Sequence, residues 1–365
     1  MKLKKFFAGV LAAAMMLTVG ATAAFATNTT DTTNSMIVAD GNGVANATLT
    51  KKLVVAEGIA PQSMTFKFTV GAGQADAAKS VKAGTVGEGF EQPSVTFRKT
   101  GNEQFTVNTY SQNFNIDLVK LLGNNYNKVG KYAYTISEDD TMIPGITKDN
   151  RTLKMIITVV NKTSENLDYN TGYGYYVGLF NQDGGKADDF TNTYNSYSLE
   201  VKKTVQGNFG DLGDTFTFYI TLGKEGGKDD NYATATVKVS DTNNSANNAT
   251  WTIGGGQQTV TLKHGQTITV SNLPVGVTYT VTEEKTNADG STWVYNTTGE
   301  AVAINDVLPS ITADNNANKV KIVNKHEGTP DMGVVLDNAP YIAMLAIVAI
   351  GGVALMLNKR RRDEE

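Results

Sequence analysis

Apolar and polar residues alternate along several segments in the middle of the chain. The alternation is clearest at residues 64–70, 131–137, 216–222 and 278–282. Successive side chains of a β-strand point to opposite faces of a sheet, so this period of two predicts half-buried antiparallel strands. Turns rich in Gly, Asn and Asp separate them. The pattern predicts an all-β fold of sandwich type.

Two longer apolar segments lie at the ends of the chain. Residues 6–25 follow a short lysine-rich start and lead into Ala26, with the small-x-small pattern that signal peptidase requires. A signal peptide over residues 1–26 is therefore predicted; the alternative is a retained membrane helix. Residues 341–357 precede a Lys- and Arg-rich tail and, at about 1.5 Å per residue, would cover roughly 25 Å of bilayer. We expect a transmembrane segment there, with its basic tail in the cytoplasm.

Composition narrows the classes of function. The formal net charge is −4, without the basic patches that nucleic-acid binding requires. There are no cysteines, although disulfides usually stabilise exported proteins. The two histidines, His264 and His326, are far apart in sequence, and zinc-type ligand spacing is missing. We expect no cofactor, no metal and no enzyme of the multiple-turnover kind.

The part of the chain between the two ends repeats one order of residues. A lysine lies on the opening strand of each unit, a glutamate ends a late strand, and an asparagine lies on the closing strand. The two sets are Lys51, Glu138 and Asn192, then Lys203, Glu283 and Asn324. The repeat predicts domains at residues 44–195 and 196–326, with almost no linker.

Strand phase directs all six side chains towards the apolar faces. Lys51, for example, lies midway between Leu49 and Leu53. Burial lowers the pKa of a lysine and raises that of a glutamate, which favours a neutral amine beside a protonated carboxyl. Such an amine is a nucleophile, and such a carboxyl can polarise a carboxamide carbonyl. The predicted product is a Lys–Asn isopeptide bond, formed once with loss of ammonia and assisted by Glu138 or Glu283.

The alternative is a pair of buried Lys–Glu salt bridges, each beside an ordinary amide. Two sets in the same order and phase, in an exported protein without cysteine, favour the covalent bond. Each bond would tie the first strand of a domain to its last. By the loop-entropy model used for disulfides, that closure could stabilise a domain by about 4–5 kcal/mol.

From about residue 46 onward the sequence resembles the isopeptide-bonded major pilins of Gram-positive bacteria, including those of group A streptococci. The clearest segments are residues 262–270 and 272–283. The resemblance implies two tandem immunoglobulin-like domains of the collagen-adhesin-B type. It also implies one self-formed Lys–Asn bond in each, at the two sets of residues named above.

The C-terminal region, residues 327–365, resembles a sortase sorting signal. The pattern of that signal is Leu-Pro-x-Thr-Gly or x-Pro-x-Thr-Gly, and the motif here is Thr329, Pro330, Asp331, Met332 and Gly333. Met332 stands where threonine is usual, which leaves the class of sortase open. The resemblance implies cleavage after Met332, and the alternative is an uncleaved membrane anchor.

Polymerisation also requires an amine from the next subunit. By the same resemblance that amine belongs to Lys186, between a Tyr-x-Val-Gly segment at residues 175–178 and Asn192. The two glycines before Lys186 are expected to leave it exposed. Lys224 and Lys228 are the alternatives.

The leading interpretation is a structural one, a backbone pilin on the cell surface. Its expected partners are a sortase, identical subunits, peptidoglycan and a tip or minor pilin. The main alternative is a monomeric wall-anchored adhesin or minor pilin that uses the same domains as a stalk. An enzymatic role is a distant third.

Overall fold

The structure, a computed structural model, describes residues 36–161, 172–226, 228, 237–286, 292–330 and 339–362. The predicted signal peptide at residues 1–26 lies outside these ranges. Within them the chain is mostly β-strand, and its strands form two sandwiches that follow each other along the chain. The predicted all-β fold of two tandem immunoglobulin-like sandwiches is confirmed.

In the described ranges the N-terminal sandwich contains ten strands and one short α-helix. One sheet has the order β4-β2-β6-β8-β9 with β3 beside β6, and the other pairs β5, β1, β10 and β7. The helix α1 (Leu118–Leu122) follows β5 and is capped by Asp117. The strands are β1 (Asn46–Glu57), β2 (Ser63–Ala72), β3 (Val81–Ala83), β4 (Ser94–Arg98), β5 (Asn108–Asp117), β6 (Gly130–Glu138), β7 (Ile146–Thr147), β8 (Thr152–Asn161), β9 (Tyr173–Phe180) and β10 (Asp189–Gln206).

The C-terminal sandwich begins within β10. One sheet has the order β14-β11-β16, and the other pairs β13, β12, β15, β10, β18 and β17 in that order. Its further strands are β11 (Phe216–Gly223), β12 (Val237–Asp241), β13 (Ala249–Trp251), β14 (Gln257–Leu262), β15 (Thr267–Pro274), β16 (Thr278–Glu283), β17 (Asn296–Thr298) and β18 (Lys319–Lys325).

Strand β10 belongs to both sandwiches. It is 18 residues long, and its first half lies parallel to β1 while its second half lies parallel to β18. At the junction the side chain of Asn272 accepts hydrogen bonds from the Ile59 N–H at 2.8 Å and the Ser196 hydroxyl at 2.9 Å. A continuous strand, rather than a flexible linker, therefore connects the two sandwiches.

Each sandwich has its own hydrophobic core. The alternation at residues 64–70 buries Met64, Phe66, Phe68 and Val70, as the sequence predicts for a strand with one inward face. The rings of Phe68 and Phe114 stack at 4.2 Å between centroids, across the two sheets of the first sandwich. A separate cluster fills the second sandwich. Apolar burial of this kind is the main force that holds each sandwich together.

Near the C-terminus the apolar segment forms the helix α2 (Ala339–Arg362). No helix in the described part of the chain combines the length and the hydropathy that a membrane crossing requires. The transmembrane segment at residues 341–357 stays a prediction.

Candidate functional site

The three polar residues predicted for the first domain lie together inside the N-terminal sandwich. Lys51 on β1 and Asn192 on β10 occupy neighbouring parallel strands, with Lys51 opposite Phe190 and Asn192 opposite Leu53. The two side chains therefore share one face of the sheet, two residues apart in register. Glu138 ends β6 in the facing sheet. Both Lys51 and Asn192 are fully buried, and Glu138 is 4% exposed.

The carboxyl group of Glu138 lies between two nitrogen atoms. Its Oε2 is 2.6 Å from Lys51 Nζ, and its Oε1 accepts a hydrogen bond of 2.5 Å from Asn192 Nδ2. Phe68 is the strand partner of Glu138, and Lys51 Nζ lies 4.9 Å from the centroid of the Phe66 ring. One carboxyl oxygen thus faces the lysine nitrogen that would attack, and the other faces the asparagine nitrogen that would leave as ammonia.

A backbone donor fixes the orientation of the Asn192 carboxamide. The N–H of Asp149 donates a hydrogen bond of 2.8 Å to Asn192 Oδ1. A backbone N–H can only donate, so the atom that faces it must be the carbonyl oxygen. The amide nitrogen therefore faces Glu138. The sequence predicts that the carboxyl polarises the carbonyl, but here the carboxyl contacts the nitrogen.

The second set lies in the C-terminal sandwich with the same register. Lys203 on β10 is opposite Ile322, and Asn324 on β18 is opposite Val205. Glu283 ends β16 in the facing sheet. Lys203 and Asn324 are fully buried, and Glu283 is 5% exposed. Two different sequences therefore place the three residue types at equivalent positions of two sheets.

The polar contacts of the second set differ from those of the first. Lys203 Nζ lies 2.5 Å from Glu283 Oε1, and Asn324 Nδ2 donates to that same oxygen at 2.9 Å. In the residues that the structure describes, Glu283 Oε2 and Asn324 Oδ1 are buried without a hydrogen-bond partner. Phe218 is the strand partner of Glu283, and the Phe216 ring centroid lies 4.1 Å from Lys203 Nζ.

Burial shifts the pKa values of these groups towards the neutral forms. Desolvation lowers the pKa of Lys51 and lowers that of Lys203 to about 8, against the opposing pull of the glutamates. Desolvation also raises the pKa of Glu138 and of Glu283. Transfer of a proton from lysine to glutamate therefore costs less here than in water, and it would yield a nucleophilic amine beside a carboxamide.

Lys186 lies in the turn after β9. Gly184 has a φ of 81°, a left-handed conformation that favours glycine, and the Asn181 side chain accepts a hydrogen bond from the Gly185 N–H. Lys186 and Lys224 are exposed, whereas Lys228 is partly buried and donates to the Thr141 carbonyl at 3.3 Å. Of the three lysines considered for the linkage between subunits, Lys228 is thus the least exposed.

The predicted sorting motif begins just after the last strand. Thr329 and Pro330 are exposed, and Asp331, Met332 and Gly333 lie outside the described residues. The side chain of Asn208 donates to the Gly328 carbonyl at 2.7 Å and accepts from the Gly328 N–H at 3.1 Å. The chain is thus tied to the second sandwich immediately before the motif begins.

Two contributors were not predicted, Asp149 beside the first set and Asn208 before the sorting motif. The contact of Asp149 is made by its backbone N–H. Every residue except proline has this group, so the residue type gives no sign of the contact. Asn208 pairs with Gly328 across 120 positions, a contact that only the folded chain brings about. The pair Asp149 and Arg151, of opposite charge and two positions apart, is the one local signal that could have drawn attention to this loop.

The fold and the buried residues together define a class, that of proteins built from tandem immunoglobulin-like domains with internal Lys–Glu–Asn sets. Residues 47–195 match a family described as the Spy0128-like isopeptide containing domain. Residues 197–326 match a domain of unknown function, DUF7601.

Known proteins place the chain more closely. It is 28% identical to a pilin of Streptococcus pyogenes serotype M1 over 292 residues, which are 75% of this chain and 79% of that protein. The structure of the major pilin protein (T3.2) from S. pyogenes serotype GAS13637 is 25% identical, with a TM-score of 0.51, and covers 78% of this chain and 98% of its own. The major pilin from S. pyogenes aligns with 22% identity and a TM-score of 0.53, over 78% and 99%. The resemblance to Gram-positive major pilins is confirmed, and the chain is a pilin homologue.

Proposed function

We propose that this protein is the shaft subunit of a surface pilus, joined covalently to identical subunits by a sortase and attached to peptidoglycan. The observation that carries the proposal is the duplicated set of buried Lys, Glu and Asn, with one register in both sandwiches. The similarity to streptococcal major pilins over three quarters of the chain supports it. A tip or minor pilin is a further proposed partner.

Each set is proposed to form one isopeptide bond, Lys51 with Asn192 and Lys203 with Asn324. The lysine gives a proton to the glutamate, and the neutral amine adds to Cγ of the asparagine. The glutamate passes that proton to Nδ2, the C–N bond breaks and ammonia leaves. The new amide nitrogen returns its extra proton to the carboxyl group, so every proton is accounted for and no redox partner or cofactor is required.

The bonds suit a structural role because of the strands that they join. The first would connect β1 with β10 and the second β10 with β18, so most of each sandwich would lie inside a covalent loop. We place the domains at residues 44–195 and 196–326 on this basis. A loop of that size would stabilise the folded state by about 4–5 kcal/mol in the chain-entropy model.

Assembly into a fibre is proposed to use the sorting motif and one exposed lysine. A sortase would cut between Met332 and Gly333 and transfer the new carboxyl end to Lys186 of the next subunit. The exposure of Lys186 and of the start of the motif supports this assignment. Most copies would then be held at the surface through the fibre and the cell wall.

Mass spectrometry and gel electrophoresis test the proposal. The intact mass of the wild-type chain should be lower by two ammonia molecules than its sequence requires; an unmodified mass would exclude both bonds.

The chain co-expressed with its sortase should give a ladder of polymers in boiled SDS extracts. Lys186→Arg, which keeps the charge but removes the nucleophilic amine, should collapse that ladder, while the matched control Lys224→Arg should leave it intact. A single wall-bound band from the wild type would favour a monomeric adhesin or minor pilin.

A further inference from the structure

We propose that the backbone N–H of Asp149 is a catalytic hydrogen-bond donor for the first cross-link, and that Arg151 is the positioning residue that holds it in place. The donor would stabilise the negative charge that forms on Asn192 Oδ1 during bond formation. This inference rests on the proposed bond between Lys51 and Asn192, and it adds a residue outside the Lys–Glu–Asn set.

The position of the donor matches the charge that it would stabilise. When an amine adds to the carboxamide carbon, the electrons of the C=O bond move to the oxygen, here Asn192 Oδ1. The N–H of Asp149 already points at that atom from 2.8 Å, within the range of effective oxyanion donors. Removal of one such donor from an enzyme typically slows the reaction by about 10²–10³-fold.

A network of hydrogen bonds holds Asp149 against the strand that carries Asn192. The Asp149 carboxylate accepts from the Thr191 N–H at 2.8 Å and from Arg151 Nη2 at 2.7 Å. The same guanidinium nitrogen donates to the Asp189 carbonyl at 2.8 Å, and Asp189 also lies on β10. The Asp149 side chain is 7% exposed, so water competes little for these bonds. The donor is thus pre-positioned before the reaction starts, which is what makes such a group effective.

The reaction remains balanced with this donor included. The lone pair of Lys51 Nζ forms the new C–N bond, and the electrons on Asn192 Oδ1 restore the C=O bond as the old C–N bond breaks. Ammonia leaves with the proton that Glu138 supplies. Asp149 contributes a hydrogen bond and loses no proton.

The second set provides an internal control within the same chain. Asn324 Oδ1 has no hydrogen-bond partner in the described part of the chain. We therefore expect the first bond to form faster than the second within the same molecule.

Cell-free synthesis of the full chain, sampled at intervals and quenched in acid, gives the rate of each bond by peptide mass mapping. Asp149→Ala and Asp149→Pro both lose the carboxylate, but only proline also lacks the N–H. The proline variant should form the first bond at least ten-fold more slowly than the alanine variant, and the second bond should form at the wild-type rate in both.

A second pair of variants tests the positioning role of Arg151. Arg151→Ala should slow the first bond several-fold, and Arg151→Lys, which can still donate to Asp149, should restore part of the rate. This pair decides the question if Asp149→Pro fails to fold, as susceptibility to protease would reveal.

Equal rates in Asp149→Ala and Asp149→Pro, or in the wild type and Arg151→Ala, would overturn the inference. The proposed function would stand in that case, because the wild type would still lose two ammonia molecules. Absence of ammonia loss from the wild type would instead refute the proposed function itself.

Discussion

The two buried sets have one backbone arrangement and two different patterns of polar contact. In the first, Glu138 faces the lysine and the asparagine with separate oxygens, and Asp149 satisfies the carbonyl of Asn192. In the second, one oxygen of Glu283 serves both partners, and the carbonyl of Asn324 is left without a partner among the described residues. Strand register therefore fixes which residues meet, but not how their polar atoms are paired.

The neighbouring segments explain the difference. In the N-terminal sandwich the short strand β7 pairs with β10 at Thr193 and Tyr194, just beyond the asparagine, so the loop that follows can bring Asp149 over the Asn192 side chain. In the C-terminal sandwich β17 pairs directly with the strand that carries the asparagine, with Thr297 opposite Asn324. Strand β17 thus lies beside Asn324, at the place where the first sandwich has a loop whose Asp149 N–H is available to the asparagine.

Removal of one lysine should have the largest effect. Lys51→Met should abolish the first bond and leave the second intact, as peptide mass mapping would show. It also opens the covalent loop, whose closure contributes about 4–5 kcal/mol in the chain-entropy model. Urea denaturation should show at least this loss in the free energy of unfolding.

The adjacent residue is the matched control. Lys52 points away from the core and pairs with Asp189 at the surface, where an ion pair contributes at most about 1 kcal/mol. Lys52→Met should keep both bonds and nearly all of the stability. A first bond that persists in Lys51→Met would exclude this lysine as the nucleophile.

Exchange of each glutamate for glutamine should separate the two contact patterns. Both variants should block only their own bond, because an amide cannot shuttle the proton. Glu138→Gln must turn an NH2 group towards a donor nitrogen, since both carboxyl oxygens face nitrogens. Glu283→Gln can keep its oxygen on Lys203 and Asn324 and direct its NH2 group to the hydroxyl of Thr297, which lies beside the carboxyl and is otherwise buried without a partner in the described residues.

The cost of a buried unsatisfied polar group is about 1–3 kcal/mol. Glu138→Gln should therefore be less stable than Glu283→Gln by an amount in that range. The reference states are Asn192→Ala and Asn324→Ala, which also lack one bond each. If the two glutamine variants lose the same free energy of unfolding, each relative to its reference, the proposed difference between the two hydrogen-bond patterns is contradicted.

The pH dependence of stability should show the smallest effect. Asn324→Ala cannot form the second bond, so Lys203 remains an amine whose pKa in the folded state is lowered to about 8 from 10.5. The unfolded state then binds more protons between these two values, and stability rises with pH wherever that is so. The free energy of unfolding of Asn324→Ala should increase from about pH 8 towards pH 10.5.

The wild type should lack this increase, because an amide nitrogen does not titrate. Denaturant midpoints measured across that pH range in both proteins give the comparison. The same rise in the wild type would mean that Lys203 is still an amine.

Side-chain alternation predicted the fold and the meeting of the six buried residues, because a period of two assigns each residue to a face. Lys51 between Leu49 and Leu53 can point only inward. The alternation of side chains along a strand says nothing about loops. The donor at Asp149 and the pairing of each carboxyl oxygen therefore could not be predicted. A domain boundary was expected near residue 195. The single strand β10 runs through that position without interruption.

Strand β10 has a mechanical consequence for the proposed fibre. It carries Asn192 of the first bond and Lys203 of the second, so the shortest covalent route from β1 to β18 runs along a single strand. A β-strand already extends by about 3.3 Å per residue, close to the maximum reach of a polypeptide. With both bonds formed, a pulling force between β1 and β18 would act on a covalent path that is already extended. Such a subunit would transmit force without lengthening, and the hydrogen bonds of the sheets around β10 would not need to resist it.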